Sequence, residues 1–314
     1  MKFAFVFPGQ GSQSVGMMAG LDGISVVRDT FIEASDTLKL DLWQMVTAGP
    51  AEALNTTVNT QPLMLTAGIA THRAWHALGG DAPAVMAGHS LGEYSALVAA
   101  GALHFCDALP LVRFRAQVMQ EAVADGVGAM AAILGLHDDA VRAVCAEAAQ
   151  GEVLEAVNFN SPGQVVIAGH KAAVERGMEA AKAKGAKRAL PLPVSVPSHC
   201  ALMQPAAARL ADYLKSVAVS KPTIPVLQNA DVANFDDPEA IKAALVKQLH
   251  SPVRWVETIQ KMAQQGIQAA VECGPGKVLA GLNKRIVSDM KQIALTDKAA
   301  IESAILELKQ LNKD

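Results

Sequence analysis

The sequence predicts an α/β fold, a large domain built on a mostly parallel sheet and interrupted near its middle by a small domain with a sheet of its own. Three observations predict it. Short apolar runs alternate with helical periodicity up to residue 125 and again from residue 194. Between these stretches the pattern changes to β-α-β-β-α-β, a motif complete in itself. The third is the pentapeptide Gly88-His89-Ser90-Leu91-Gly92, which joins a strand-like run to a helix-like one as a sharp strand-to-helix turn would.

In the first stretch, the apolar run Phe3–Phe7 ends at Pro8 and reads as a buried strand; no cleavage site follows, as a secretion signal would need. The loop Pro8-Gly9-Gln10-Gly11-Ser12-Gln13 lacks the Walker lysine and the full G-x-G-x-x-G spacing. It reads as a turn that offers backbone N–H groups rather than as a phosphate loop. Helical patterns occupy 26–38, 42–46 and 51–54, and a longer one starts near Gln61-Pro62 and ends at Leu78, with the proline suited to a first turn. The apolar run 83–87 leads into the pentapeptide. An alanine-rich helix, 93–100, stops at Gly101, and another covers 106–123.

In the middle stretch, 129–134 is an apolar strand and 138–149 a helix. Strands 153–158 and 164–168 are joined by the turn-formers Asn160-Ser161-Pro162-Gly163. Helix 172–184, stopped by Gly185, and strand 187–190 complete the ferredoxin-like order. Pro191, Pro193 and Pro197 mark the return. Beyond them lie helix 203–216, strand 225–229, helices 238–249 and 255–265, strand 268–272, the turn Gly274-Pro275-Gly276, and helices 278–286 and 299–308. The expected boundaries are 1–125 with 194–314 for the large domain and 126–193 for the insert.

Composition narrows the function classes. Hydrophobic residues make up 51% and charged residues 18%, as in a globular chain, and with 4% aromatics the core must be mostly aliphatic. A net charge of −3 leaves no excess of Lys and Arg to neutralise phosphates, which argues against a nucleic-acid partner. The four cysteines, Cys106, Cys145, Cys200 and Cys273, have no C-x-x-C spacing, so neither a metal site nor a disulfide framework is indicated. Reduced thiols fit a cytoplasmic setting. The best candidate for a membrane span, 96–112, contains His104 and Asp107, and no membrane segment is expected.

The candidate chemistry centres on Ser90. A serine hydroxyl is a weak nucleophile unless the backbone presents it to a base, and flanking glycines permit the turn that does so. The alternative is a serine that merely caps a helix. Of the eight histidines, His72, His76 and His104 sit in or beside helical stretches, and His89, adjacent to Ser90, would shape the turn rather than face it. His199 stands out, because it follows the rigid, uncharged Pro193-Val194-Ser195-Val196-Pro197-Ser198 where the chain re-enters the large domain. No acid lies in an obvious strand-end loop between Ser90 and His199, and Asp231 and Asp236 come too late for the order Ser, acid, His. A dyad whose imidazole is oriented by a backbone carbonyl is one arrangement compatible with this, and spacing does not decide it. Arg113 and Arg115 lie on a helix among apolar neighbours. Each either packs its stem along the surface or meets a carboxylate with two prongs, and spacing favours the surface. Cys200 is discounted as a partner of His199, because adjacent side chains rarely face each other.

A family resemblance is carried by motifs spread over the chain: Phe7-Pro8-Gly9-Gln10-Gly11-Ser12-Gln13, Gln61-Pro62, Gly88-His89-Ser90-Leu91-Gly92-Glu93-Tyr94, Arg115 with Met119-Gln120, Asn158-Phe159-Asn160-Ser161-Pro162-Gly163-Gln164, Val196-Pro197-Ser198-His199 and Gly274-Pro275-Gly276. In this order they resemble the stand-alone malonyl-CoA:acyl carrier protein transacylases of bacterial fatty acid synthesis. The resemblance implies an α/β-hydrolase-like large domain with a ferredoxin-like insert. It implies Ser90 as nucleophile, His199 as base, the Gln10 and Leu91 N–H groups as oxyanion hole, and Arg115 as holder of the malonyl carboxylate. It further implies that Gln61 lines the pocket and that the backbone carbonyl of Gln248 orients His199. The partners would be malonyl-CoA and acyl carrier protein, in a ping-pong cycle without metal or redox cofactor; a monomer is the default expectation.

An acidic carrier would need basic docking residues, either Lys182, Lys184, Lys187 and Arg188 or Lys277, Lys284 and Arg285, although solvated lysines explain each equally well. One departure concerns specificity: some modular acyltransferases that select malonyl place a bulky aromatic before the histidine, where this chain has Ser198, as the stand-alone enzymes do. Rival readings are a related acyltransferase serving a polyketide synthase or a malonate decarboxylase, a serine esterase or thioesterase, and a non-catalytic interaction subunit.

Overall fold

The computed structural model describes residues 2–194 and 196–310. Met1, Ser195 and residues 311–314, all within the expected domain boundaries, lie outside the described residues. The elements in chain order are β1 (Phe3–Phe7), α1 (Ser25–Leu38), α2 (Leu42–Ala48), α3 (Ala51–Asn55), α4 (Thr57–Ala77), β2 (Val85–Gly88), α5 (Gly92–Ala99) and α6 (Phe105–Glu121). Next come β3 (Gly128–Leu134), α7 (Asp138–Ala149), β4 (Leu154–Ser161), β5 (Gln164–His170), α8 (Lys171–Ala183) and β6 (Arg188–Pro191). The chain continues with α9 (Gln204–Leu214), β7 (Val226–Leu227), α10 (Pro238–Leu249), α11 (Trp255–Gln264), β8 (Ala269–Glu272), α12 (Val278–Ile286), β9 (Lys291–Ala294) and α13 (Lys298–Gln310).

Five strands in the order β7-β2-β1-β8-β9 form a sheet in which every neighbouring pair is parallel. β1, β2 and β8 are buried at every position. Helices cover both faces, which is why these runs are apolar instead of alternating, except for the buried Glu272 at the end of β8, whose carboxylate accepts from the Leu279 and Ala280 N–H groups. The residues of β1 still divide by face. Phe3, Phe5 and Phe7 enter a core that includes Trp75 of α4, while Ala4 and Val6 enter another with Trp255 and Ile259 of α11. The Phe5 and Trp75 rings meet edge-on, centroids 5.4 Å apart.

The other sheet is antiparallel, in the order β4-β5-β3-β6. Ala131, Ile133, Val165 and Ile167 pack on one face against Val141 and Val144 of α7 and Val174 of α8. On the opposite face Met130, Val166 and Ala168 cluster with Val157 and with Cys200 of the return segment. That second face turns toward the large sheet.

Several expected boundaries move. α4 starts at Thr57, before Gln61-Pro62, so Pro62 lies inside the helix rather than in its first turn. The Thr60 hydroxyl donates to the carbonyls of Leu54 and Thr56 and ties the added turn to α3. β4 extends to Ser161, which pairs with Gln164, so Asn160 and Ser161 are strand residues and the turn is reduced to Pro162-Gly163. β7 is two residues long, because Gln228 and Asn229 leave the ladder. β9 was not expected: a short, half-buried edge strand that starts with Lys291-Gln292 carries no apolar signal.

Parallel strands deliver their following loops to one edge. The loop after β1 and the turn after β2 meet there, pressed together at two glycines. A Cβ on Gly92 would lie 2.1 Å from the Phe7 carbonyl oxygen, and one on Gly9 would lie 2.4 Å from that of His89.

Candidate active site

The turn after β2 holds Ser90 at φ 52, in the left-handed region where a side chain costs about 1–3 kcal/mol. The turn closes because Gly88 has no side chain; a Cβ there would sit 1.9 Å from the Gly92 carbonyl. Bonds with β1 and with Asn229 help to hold it. His89 N–H donates to Phe7 O at 2.9 Å, Asn229 Nδ2 donates to Gly88 O at 2.7 Å, and Ser90 N–H donates to Asn229 Oδ1 at 2.7 Å. α5 then starts from Leu91, leaving the Ser90 hydroxyl in the open between strand and helix.

Ser90 Oγ lies 2.7 Å from His199 Nε2, and His199 Nδ1 lies 2.7 Å from the backbone oxygen of Gln248. A carbonyl can only accept, so Nδ1 carries the proton and Nε2 faces the serine as an acceptor. His199 also has a positive φ, 66, and its N–H donates to Leu249 O at 3.0 Å, so the end of α10 holds both backbone and ring. Burial, reinforced by the Arg115 charge, pushes its pKa down to about 3 against the opposing pull of the Gln248 carbonyl. The imidazole is therefore neutral at neutral pH, the form a general base requires.

Arg115 corrects the sequence reading, which favoured a surface arginine: it is only 1% exposed, while Arg113 on the same helix is half-buried. α6 runs beneath the site, and Arg115 is one of the residues on its inward face. Nη1 donates to Gln61 Oε1 at 2.9 Å, Nη2 to Gln248 Oε1 at 3.0 Å, and Nη2 also reaches Ser90 Oγ at 3.4 Å. Its Nε has no partner, and no carboxylate pairs with it among the described residues. The nearby acid is Glu93, fully buried, whose pKa burial raises to about 8 against the hydrogen bond from Asn229 N–H and the attraction of Arg115. A buried cation that meets only neutral acceptors is costly unless an anion completes the site.

These groups face a cavity of about 130 Å³ lined by Gln10, Gln61, Ser90, Leu91, Arg115 and His199. Met130, Asn158, Leu192 and Val194 from the antiparallel sheet and its exit close it from the other side. The backbone N–H groups of Gln10 and Leu91 find no acceptor among the described residues, and both residues line the cavity. The seven expected residues, Ser90, His199, Gln10, Leu91, Arg115, Gln61 and Gln248, thus come together in one place. His89 also borders the cavity, but its ring is engaged elsewhere: Nε2 meets Asn160 Oδ1 at 2.7 Å and the ring packs on Trp255. Cys200 Sγ turns to the Pro197 carbonyl. His72 and His76 face each other on α4, away from the cavity.

Sequence reasoning missed the side chain of Gln248, which bonds both Arg115 and, through Nε2, Ser90 O at 2.9 Å. It also missed Asn229 and Glu93. Asn229 read as the end of a strand; the only signal was a polar pair, Gln228-Asn229, where an apolar run should continue. Among the described residues no three His, Cys, Asp or Glu side chains gather as metal ligands, and no helix is long and apolar enough to cross a membrane.

A family model described as the acyl transferase domain matches residues 4–302. The malonyl CoA-acyl carrier protein transacylase of Escherichia coli (strain K12) is 57% identical over 305 residues, which cover 97% of this chain and 99% of that protein. Among solved structures, the acyl-carrier-protein S-malonyltransferase of Burkholderia pseudomallei superposes with a TM-score of 0.96 at 60% identity, covering 98% of this chain and all 100% of the other. A malonyl-transacylase solved in complex with a type II polyketide synthase acyl-carrier protein gives a TM-score of 0.97 at 54% identity, with 98% and 100% covered. A match of this length and identity shows the family: the chain belongs to the malonyl CoA-acyl carrier protein transacylases, acyltransferases built on the acyl transferase domain.

Proposed function

We propose that the protein moves a malonyl group from malonyl-CoA onto Ser90 and from there to the phosphopantetheine thiol of an acyl carrier protein, supplying fatty acid synthesis. The observation that carries this reading is Arg115, a buried guanidinium beside the nucleophile that has neutral partners only. A three-carbon acyl group on Ser90 that ends in a carboxylate would supply the missing anion, and a guanidinium can bind it with two parallel hydrogen bonds.

In the first half-reaction, Ser90 Oγ attacks the thioester carbonyl while His199 Nε2 takes the hydroxyl proton. The Gln248 carbonyl stabilises the imidazolium that results. The N–H groups of Gln10 and Leu91 receive the oxyanion of the tetrahedral intermediate, at a cost of about 3–4 kcal/mol in barrier were one removed. Collapse breaks the carbon–sulfur bond, and His199 returns its proton to the CoA thiolate. The second half-reaction runs in reverse with the carrier thiol as attacker. Gln61 and the Gln248 amide hold Arg115 in register throughout. The partner of His199 Nδ1 is a backbone carbonyl instead of an acidic side chain, so the base is less polarised than in a hydrolytic triad, which suits transfer to a thiol over transfer to water.

The same reading carries the finer architecture: an α/β-hydrolase-like catalytic domain of residues 1–125 and 194–314, a ferredoxin-like insert of residues 126–193, a monomeric state and a cytoplasmic setting. For the carrier, Lys277, Lys284 and Arg285 are the better docking candidates, because Lys182 and Lys184 are paired with Glu179 and Glu147. The complex of a similar transacylase with a polyketide synthase carrier favours one alternative, in which the acceptor is such a carrier. Mass spectrometry after mixing with malonyl-CoA tests the proposal. A single malonyl adduct on Ser90 that persists until holo carrier protein is added supports it. Rapid release of free malonate without carrier would instead mark a thioesterase.

A further inference from the structure

The ladder between β7 and β2 pairs Met86 with Val226 and Ala87 with Leu227, then stops. The next residues of β2 would leave two polar backbone groups without a neighbouring strand, the carbonyl of Gly88 and the N–H of Ser90. One side chain meets both. Asn229 Nδ2 donates to Gly88 O and Asn229 Oδ1 accepts from Ser90 N–H, each at 2.7 Å, so the amide substitutes for the missing strand. Asn229 is fully buried, and its own N–H donates to Glu93 Oε2 at 2.7 Å. Glu93 is fully buried as well, its Oε1 has no partner, and its N–H donates to Ser90 O at 3.1 Å.

We propose that Asn229, backed by Glu93, is a positioning residue that clamps the left-handed backbone of Ser90 and so sets the aim of Oγ toward His199 and of the Leu91 N–H toward the oxyanion. The clamp acts on the geometry of the reacting groups without touching substrate. An amide suits it because it supplies one donor and one acceptor at any pH, in the spacing of the two backbone groups. An ionised Asp keeps the acceptor, loses the donor and sets a carboxylate oxygen against the Gly88 carbonyl. The inference rests on Ser90 being the nucleophile.

The test separates aim from folding. Asn229→Asp and Asn229→Ala are followed by rapid-quench measurement of malonyl-Ser90 formation, which gives an amplitude (the fraction of competent sites) and a rate constant. The clamp predicts a rate constant lower by about 10- to 100-fold at saturating malonyl-CoA, with half-saturation within about twofold of wild type, since small misplacements of a reacting atom cost this much. A residue that only supports folding would lower the amplitude and melting temperature and leave the rate constant of the remaining sites intact, and that result overturns the proposal. Labelling of Ser90 by a small fluorophosphonate gives the same comparison without malonyl chemistry. If the wild type takes the fluorophosphonate but no malonyl, the substrate reading fails and the clamp is still judged by the labelling rates. Glu93→Leu should slow labelling by about tenfold, and Glu93→Gln, which keeps an acceptor for Asn229 N–H, should recover most of that loss; equal slowing in both, or in neither, excludes Glu93 as the backing residue.

Discussion

The two sheets of this protein meet the same cavity in opposite ways. The parallel sheet is buried on both faces and contributes only its edge: the loop after β1 brings Gln10 and the turn after β2 brings Ser90 and Leu91. The antiparallel sheet contributes a face. α7 and α8 cover one side of it, and the other side, with Met130 and Asn158, walls the cavity. Reactive groups thus come from strand ends, where parallel packing concentrates backbone N–H groups, while shape comes from a strand surface. The difference teaches that the parallel sheet should control chemistry and the antiparallel sheet capacity.

The largest effect that would break this division is at the strand end. Ser90→Ala and His199→Ala should each lower malonyl transfer by at least about a thousandfold, with melting temperature little changed; steady-state transfer and calorimetry check this. A core substitution in the other sheet should do the reverse. Ile133→Ala, at a fully buried position, should cost about 2–5 kcal/mol of stability. At temperatures where the protein stays folded, fluorophosphonate labelling of Ser90 should proceed at the wild-type rate. On the opposite face, Met130→Ala enlarges the cavity wall, and a rise of a few-fold in the use of methylmalonyl-CoA relative to malonyl-CoA is expected from a competition assay. Loss of Ser90 reactivity in either variant of the antiparallel sheet would mean that the sheets are not separable in this way.

The smallest prediction concerns the acid beneath the strand end. Glu93 in the folded state holds its proton up to about pH 8, against 4.5 ordinarily, so the folded form binds more protons than the unfolded form between these values. Its contribution is fully present below pH 4.5 and is lost as pH rises toward 8. His199 has the opposite sign: its folded pKa of about 3 is below 6.5, so its contribution is present above pH 6.5 and lost as pH falls toward 3. The two oppose each other between 4.5 and 6.5. Urea midpoints compared between wild type and Glu93→Gln from pH 6.5 to 8 isolate the Glu93 slope, which the variant should lack.

The sequence made the parallel sheet's edge legible because glycine spacing, a serine and a lone histidine after a proline-rich return each carry a local signal. The strands and helices of the antiparallel sheet region were legible for the same reason, being short-range and bounded by turn-formers. Arg115 was legible only through family resemblance, since whether an arginine on an amphipathic helix faces in or out depends on the α4 and α10 residues that receive it. Asn229 and the Gln248 side chain were not legible at all, because they act across 139 and 158 positions of sequence and no local pattern marks an amide that replaces a strand. β9, an edge strand of polar and half-buried residues, was missed for want of any periodicity.

The central claim is that the buried guanidinium of Arg115 selects an acyl group by its terminal carboxylate. The measurement that tests it most directly is the rate of acyl-Ser90 formation from malonyl-CoA and from acetyl-CoA, in wild type and in Arg115→Ala. Malonyl loading should fall by about 100-fold or more, the loss expected for a charge-assisted pair in a buried site, while acetyl loading stays level or rises. Equal losses for the two acyl groups would make Arg115 a structural residue and contradict the account.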